Sequence, residues 1–216
     1  MKKVMLLFVL VPFTMFAKFF EGTVSLNDGS AKTGLIELPT ESNEQTLKFK
    51  TNIKAKVESI AINDVKGFEI TSGKNQAVTF FVTLYLAKGP LFGECTVNKK
   101  KSWVRVEQEG KITLYSTYLG YRPGVRGAAV HTSGWPPQTY FYLGRPALNY
   151  ATFFWTYIES GGNTIAVNNF KVIKRLTKAH FETDCPTLEN FIEKDDFKTN
   201  GITRIVDLYD AHCGTN

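Results

Sequence analysis

Residues 103–118 read WVRVEQEGKITLYSTY, and this stretch decides the expected fold. Val104 and Val106 alternate with charged or polar side chains, and so do Ile112 and Leu114 beyond the glycine turn. A period of two on both sides of a glycine predicts a β-hairpin with one buried face and one face in water. Such one-sided alternation is typical of antiparallel sheets, because parallel sheets are usually covered on both faces by helices.

The same pattern continues towards the N terminus. Residues 23–26 and 35–38 alternate in polarity, and Gly29 between them favours a tight turn because it takes a positive φ without steric cost. Residues 79–86 form the clearest single strand, with aromatic side chains on both faces, so we expect this strand to be central and covered on both sides. Further strands are expected at residues 46–50, 68–71, 139–143 and 151–158.

The last quarter of the chain changes its period. Phe170, Ile173 and Leu176 recur every third residue, Pro186 suits the first turn of a helix, and residues 202–209 carry an amphipathic stripe. We therefore predict an α+β fold that is mainly β. An antiparallel sheet over residues 18–165, as a sandwich or a partly closed roll, is followed by two or three short C-terminal helices packed on it over residues 166–216.

The first seventeen residues have the layout of a secretory signal peptide. Lys2 and Lys3 precede an apolar run, and Ala17 offers a small residue for cleavage. The run is shorter than the roughly 20 residues that a transmembrane helix needs, so we expect no transmembrane segment after cleavage. A buried strand or a membrane anchor is the alternative. The expected localisation is exported, in the periplasm or associated with the outer envelope.

Charge argues against nucleic acid as a partner. The formal net charge of +6 falls by two, to +4, when Lys2 and Lys3 leave with the signal peptide. A nucleic-acid footprint needs basic residues clustered on one face. The one compact basic run, Lys99 to Lys101, is expected at a solvated loop tip.

Three cysteines allow three pairings, and export favours a disulfide. We favour Cys185 with Cys213, which would leave Cys95 as a free, buried and inert thiol. His212 beside Cys213 offers a metal pair as the competing interpretation, but the disulfide is preferred, and neither a metal nor a cofactor is expected. His180 is expected near the end of a helix, where a positive charge is mildly favoured.

The best candidate site in the sequence is the irregular stretch 119–138, which is rich in glycine and proline. It combines aromatic faces with cationic donors, a mixture that suits a sugar or an anionic group. The candidate binding residues are Tyr121, Arg122, Arg126, His131 and Trp135. The simpler interpretation is a surface loop that covers one end of a sheet.

Three motifs and their order resemble uncharacterised exported β-rich proteins of Gram-negative bacteria of the Bacteroidetes type. The motifs are GTVSLNDG (22–29), VEQEGKITLY (106–115) and IVDLYDAHC (205–213), behind a signal peptide. The likeness is scattered over most of the mature chain. No activity is assigned to such proteins, so the resemblance implies envelope residence and transfers no site residue.

The expected function is a non-enzymatic binding or interaction module of the cell envelope, with an envelope protein, a glycan or a peptide as partner. No nucleophile elbow, phosphate-binding glycine motif or Cys-x-x-Cys occurs in the sequence. The alternative is an exported hydrolase that acts on a glycan or peptide through a site not recognisable from sequence, because carboxylate pairs are identified by their separation in space.

Overall fold

The computed structural model describes residues 18–72, 75–89, 95–120, 126–127, 130–131, 136–158 and 167–213. Strands make up 48% of the structure and helices 21%, which confirms an α+β fold that is mainly β. The predicted signal peptide, residues 1–17, lies outside the described residues. The described strands end at Ile158 and the helices begin at Val167. No helix within the described ranges is long and apolar enough to cross a membrane.

One ten-stranded sheet carries the fold, and its strand order is β12-β11-β8-β7-β6-β5-β1-β2-β3-β4. A separate two-stranded ladder is formed by β9 and β10. The strands are β1 (Phe19–Leu26), β2 (Ala31–Glu37), β3 (Thr46–Lys50), β4 (Glu58–Ala61), β5 (Val65–Ser72), β6 (Ala77–Ala87), β7 (Val97–Gln108), β8 (Thr113–Leu119), β9 (Arg126–Gly127), β10 (Val130–His131), β11 (Gln138–Gly144) and β12 (Tyr150–Ile158).

The N-terminal half of the sheet curls back onto one of its own faces. Trp103 of β7 donates its backbone N–H to Ser42 O at 2.7 Å and its indole N–H to Glu44 O at 2.8 Å, just before β3 begins. Five strand spacings separate β7 from β3 in the sheet order, and a flat sheet would place them roughly 24 Å apart. The curled sheet encloses a core contributed by β1 to β5 and Trp103. Its buried members include Val24, Ile36, Leu47, Phe49, Ile60, Phe68 and Ile70.

The other half closes into a five-stranded ring of β6, β7, β8, β11 and β12, which we call the roll. Neighbouring strands pair antiparallel, except that β12 pairs with β6 in parallel through Tyr150–Tyr85, Ala151–Leu86 and Thr152–Ala87. The predicted partly closed roll is therefore the form that the sheet takes. Inside it, the buried residues are Leu86, Val104 and Ala151, and the partly buried ones packed on them are Val82, Leu84, Tyr115 and Tyr142.

Strand β6 serves both cores because its side chains alternate between its two faces. Phe81 packs against the N-terminal core, where its ring stacks on Phe68 with centroids 4.7 Å apart. Its neighbour Val82 faces the interior of the roll. The expectation that this strand is covered on both sides is wrong for its first half, because Phe80 is 52% exposed beyond the end of the roll.

Three helices cover the outer surface of the roll: α1 (Val167–Phe181), α2 (Lys194–Asn200) and α3 (Arg204–His212). Their apolar faces share one core with Leu114, Leu143 and Phe154 of the sheet. The segment after Pro186 forms a 3-10 turn, Leu188–Phe191, rather than the expected α-helix. The helical residues of this core include Ile173, Leu176, Phe181, Phe197, Ile205 and Leu208.

A disulfide joins the two ends of this helical segment. Cys185 and Cys213 are bonded across 28 residues of chain, with Cα atoms 5.8 Å apart, and this is the pairing that the sequence favoured. Cys95 is free, as expected, but it is exposed rather than buried. Lys99 to Lys101 lie within strand β7 instead of at a loop tip.

Removing the disulfide should destabilise the protein, whereas removing the free thiol should not. The cross-link spans 28 residues. Without it the unfolded chain gains conformational entropy, which lowers the free energy of unfolding by roughly 3–4 kcal/mol. Urea unfolding of the double variant Cys185→Ser/Cys213→Ser should show this loss, and Cys95→Ser is the matched control. Equal midpoints for the double variant and wild type would contradict the stabilising role.

Candidate functional site

One end of the roll opens into a cavity of about 520 Å³, which we call the roll mouth. It lies where the parallel pairing of β6 with β12 ends, at Thr152–Ala87. The mouth is lined by Leu86 and Ala87 of β6, Lys88 directly after it, Asn98 of β7, Tyr140 and Tyr142 of β11, and Phe153 of β12.

Three aromatic rings form one wall of the roll mouth. The Phe153 ring lies edge-on to Tyr142, with centroids 5.9 Å apart and planes at 80°, and it is tilted to Tyr140 at 6.3 Å. Tyr140 and Tyr142 reach the same face because they are two residues apart on one strand. The mouth therefore presents ring faces and ring edges held in a fixed mutual geometry.

The two tyrosine hydroxyls are engaged within the protein. Tyr140 donates to Gln138 Oε1 at 2.6 Å. Burial raises the pKa of Tyr142, and a hydrogen bond with Thr117 opposes that shift. The raised pKa keeps the Tyr142 phenol uncharged at neutral pH, and aromatic rings make up most of the wall. Charge at the mouth comes from Lys88, whose side chain lies at the exposed rim.

His180 of α1 supports this wall from behind. Its ring Nε2 lies 2.8 Å from Phe153 O, and the imidazole packs edge-on against Phe154 at 5.4 Å. Burial is the main reason that the pKa of His180 falls from 6.5 to about 4. The ring is thus neutral at physiological pH, and Nε2 must carry the proton that it donates to the carbonyl. The sequence placed this residue correctly near a helix end, but the expectation of a positive charge there is wrong.

A network below the mouth fixes the turn between β11 and β12 to the helices. Arg145 donates to Asp184 Oδ2 at 2.8 Å and to the backbone oxygen of His180 at 3.1 Å. Tyr209 of α3 donates to the same carboxylate oxygen at 3.2 Å. Asp184 directly precedes the disulfide cysteine Cys185, so these contacts anchor the wall strands to the cross-linked helical segment.

A second concave surface, the trough, lies on the sheet outside the other end of the roll and measures about 870 Å³. Its floor consists of side chains from β1, β5, β6 and β7, with Phe80 and Val78 about half exposed. Glu69, Lys66 and Glu109 contribute mixed charges around it. The trough is the larger of the two, and its lining mixes apolar side chains such as Phe80 and Val78 with charged ones.

A third, smaller cleft of about 270 Å³ lies between β7, β8 and the loop before β3. Beside it, the Glu107 carboxylate accepts hydrogen bonds from Arg105 Nε at 2.7 Å and from the Ser116 hydroxyl. Two donors already occupy this carboxylate, so it is not a free base. Over the described ranges, no cluster of three or more His, Cys, Asp or Glu could hold a metal ion.

The residues predicted from sequence fall only partly within the described chain. Tyr121, Arg122 and Trp135 lie outside it, as do the side chains of Arg126 and His131. The backbones of Arg126 and His131 pair directly across β9 and β10. The segment that carries all five residues connects β8 to β11, whose paired ends Leu119 and Gln138 lie at the same end of the roll as the mouth.

Sequence reasoning missed the residues of the roll mouth itself. Their signal was present as same-face aromatics on two successive strands, Tyr140 and Tyr142 followed by Phe153. The sequence pattern did not reveal the opposite side of the cavity. Leu86 and Lys88 lie more than fifty residues away in the chain, and the parallel pairing of β6 with β12 brings them close.

Compared with known proteins, the chain matches no protein family, no curated protein and no solved structure. The function is therefore argued from the geometry of the site.

Protonation of His180 should make the protein less stable in mild acid. The pKa is about 6.5 in an unfolded chain and about 4 in the folded protein. Between these values the unfolded state binds the extra proton, so the free energy of unfolding falls as the pH drops from 6.5 to 4, by a contribution on the order of 3 kcal/mol.

The variant His180→Gln tests this contribution, because its amide can still donate to Phe153 O but does not titrate. Urea unfolding from pH 7.5 to 4 should show a flatter pH dependence for His180→Gln than for wild type. His212→Gln is the matched control, since the His212 ring is exposed and stacked on Phe191 at 3.7 Å. An unchanged slope in His180→Gln would refute the assignment.

Proposed function

We propose that this chain is an exported, non-enzymatic ligand-binding protein of the cell envelope, and that it binds a small ligand with an apolar body in the roll mouth. One observation carries the proposal: three aromatic rings, from Tyr140, Tyr142 and Phe153, converge on an open cavity of about 520 Å³. Small-molecule sites are typically concave, mainly apolar and supplied with a few polar groups. The roll mouth has this composition.

The wall of the mouth is rigidly supported, which favours binding. Phe153 is held through its backbone by His180, and the β11–β12 turn is held through Arg145 by Asp184. A binding site whose side chains are fixed in advance loses less conformational entropy when the ligand arrives. The scaffold therefore supports retention of a ligand without rearrangement of the wall.

The chemistry of the lining favours binding over catalysis. Within the described lining, the mouth has no carboxylate, histidine, serine or cysteine. An exported hydrolase, the alternative from sequence, requires an acid and base or an activated nucleophile converging on the substrate. The described lining of the roll mouth contains aromatic rings, one amide and one ammonium group.

Export is supported by two independent features. The first seventeen residues have the order of a signal peptide. The Cys185–Cys213 disulfide fits an oxidising compartment, since cytosolic thiols are normally kept reduced. In this proposal the protein acts in the periplasm or at the outer envelope.

Ligand binding should depend on the aromatic wall. Titration with N-phenyl-1-naphthylamine, an uncharged probe whose fluorescence rises in apolar surroundings, should reveal a saturable site. Phe153→Ala and Tyr140→Ala should each raise the dissociation constant by roughly tenfold, as expected for loss of a central aromatic contact.

The matched control is Phe80→Ala, which removes an exposed aromatic ring from the trough instead. This variant should bind the probe like wild type. Thermal unfolding of all three variants identifies any that fail to fold. If Phe80→Ala weakened binding while the two wall variants did not, the trough would be the site and the proposal would fail.

Export should be accompanied by cleavage after Ala17. When the full chain is expressed in a Gram-negative host, we expect a periplasmic product that begins at Lys18 by N-terminal sequencing. Leu10→Arg, which places a charge in the apolar run, should leave the precursor uncleaved and in the cytoplasm. An uncleaved wild-type chain in the cytoplasm would contradict the proposed localisation.

A further inference from the structure

We infer, building on the proposed function, that the ligand of the roll mouth is an amphipathic anion: an apolar ring or chain that bears one negatively charged head group. The inference rests on how apolar surface and positive charge are distributed within this one cavity. The interior is aromatic and aliphatic, and the described cation stands at its rim.

The apolar body of such a ligand fits the interior of the mouth. Phe153 and Tyr142 offer an edge-on pair of rings at 5.9 Å, and Leu86, which is 6% exposed, closes the floor. A chain or ring inserted here would remove these surfaces from water, and that burial is the main favourable term for an apolar group. Each tyrosine hydroxyl already has one hydrogen-bond partner within the protein, which reduces the polar capacity that the wall offers to a ligand.

The head group fits the rim. Lys88 follows the last residue of β6 and is exposed, and Asn98 on the neighbouring strand adds an amide donor. A lysine can lay its methylene stem over apolar surface and keep its ammonium group in water. No acidic side chain lines the described mouth, so the mouth itself supplies no counter-ion to Lys88. An anionic head group would supply one.

Further positive charge lies beside this rim along β7. Lys99 and Lys100 follow Asn98 directly, and both are exposed. They follow the mouth residue Asn98 within the same strand. Clustered charge of one sign raises the local concentration of oppositely charged ligands and speeds their approach. The same field disfavours a cationic amphiphile.

A polyhydroxylated ligand such as a sugar fits this mouth less well. Each hydroxyl that leaves water needs a new hydrogen-bond partner, and an unpaired one opposes binding. Tyr140 is already bonded to Gln138, and Tyr142 to Thr117. The described lining leaves the side chains of Asn98 and Lys88 as polar partners, which suffice for one head group.

The test compares three ten-carbon amphiphiles that differ only in their head group: decanoate, decanol and decylamine, each below its micellar concentration. Each displaces bound N-phenyl-1-naphthylamine from the purified protein at low ionic strength and neutral pH. We expect decanoate to displace the probe at a concentration roughly threefold to tenfold lower than decanol, with decylamine the weakest. The preference for decanoate should shrink at high salt, because salt screens an exposed ion pair.

The decisive variant is Lys88→Gln, which keeps a flexible polar side chain but removes its charge. It should lose most of the preference for decanoate over decanol, with decanol binding unchanged from wild type. Lys88→Arg should restore the preference. Lys54→Gln is the matched control, because Lys54 is an exposed lysine in the turn between β3 and β4 and does not line the mouth.

The outcomes separate this inference from the proposed function. If all three amphiphiles displaced the probe equally, or if Lys88→Gln kept the preference for decanoate, the mouth would remain a binding site but the anionic head group would be refuted. A preference for decylamine would refute it as well. If the protein bound neither the probe nor any amphiphile, the proposed function would fail and the inference with it.

Discussion

Strand β6 is the constraint on which the rest of the structure depends, because one edge of this strand is shared by two partners. Over residues 77–82 that edge pairs with β5, and over residues 85–87 it pairs in parallel with β12. Its other edge pairs with β7 over residues 81–87, with a register shift between Tyr85 and Ala87. The sheet must therefore curl in opposite directions on the two sides of β6, which explains why Phe81 and Val82, adjacent in sequence, face two different cores.

The same arrangement creates the proposed binding site. The parallel pairing brings Leu86, Ala87 and Lys88 opposite the inward-facing rings of β11 and β12, and together they line a cavity. The helices and the disulfide sit on the opposite side of this wall and hold it through His180 and Arg145. An open aromatic cavity is stable here because the scaffold buries the reverse side of the same strands, where Phe154 is fully buried. Phe153, which lines the proposed binding site, and Phe154, which is buried in the core, are consecutive residues of β12.

Local patterns predicted the elements far better than their assembly. The hairpin of β1 and β2 follows from alternation and from Gly29, which takes φ +88° in the turn. The α1 and α3 helices are predicted by the spacing of their apolar residues. The cysteine pair is predicted by the expected export and by the separation of the two cysteines in the chain. The features that the sequence patterns predicted wrongly depend on contacts between residues far apart in the chain. Lys99 to Lys101 resemble a loop by charge, yet they lie within β7, which pairs with β6 at Val97 and Lys101. His180 resembles an exposed cation, but its burial favours the neutral ring.

Local patterns in the chain specify the alternating strands, the short amphipathic helices and a leader typical of export. These properties depend on neighbours within a few residues, and such neighbours are visible in a linear pattern. Three features follow from the three-dimensional assembly instead: the closed roll, the exposure of Cys95, and the cavity that Phe153, Tyr142 and Lys88 share. The physical reason is the parallel contact of β6 with β12: it joins residues 65 positions apart, and no local propensity specifies a pairing over that distance.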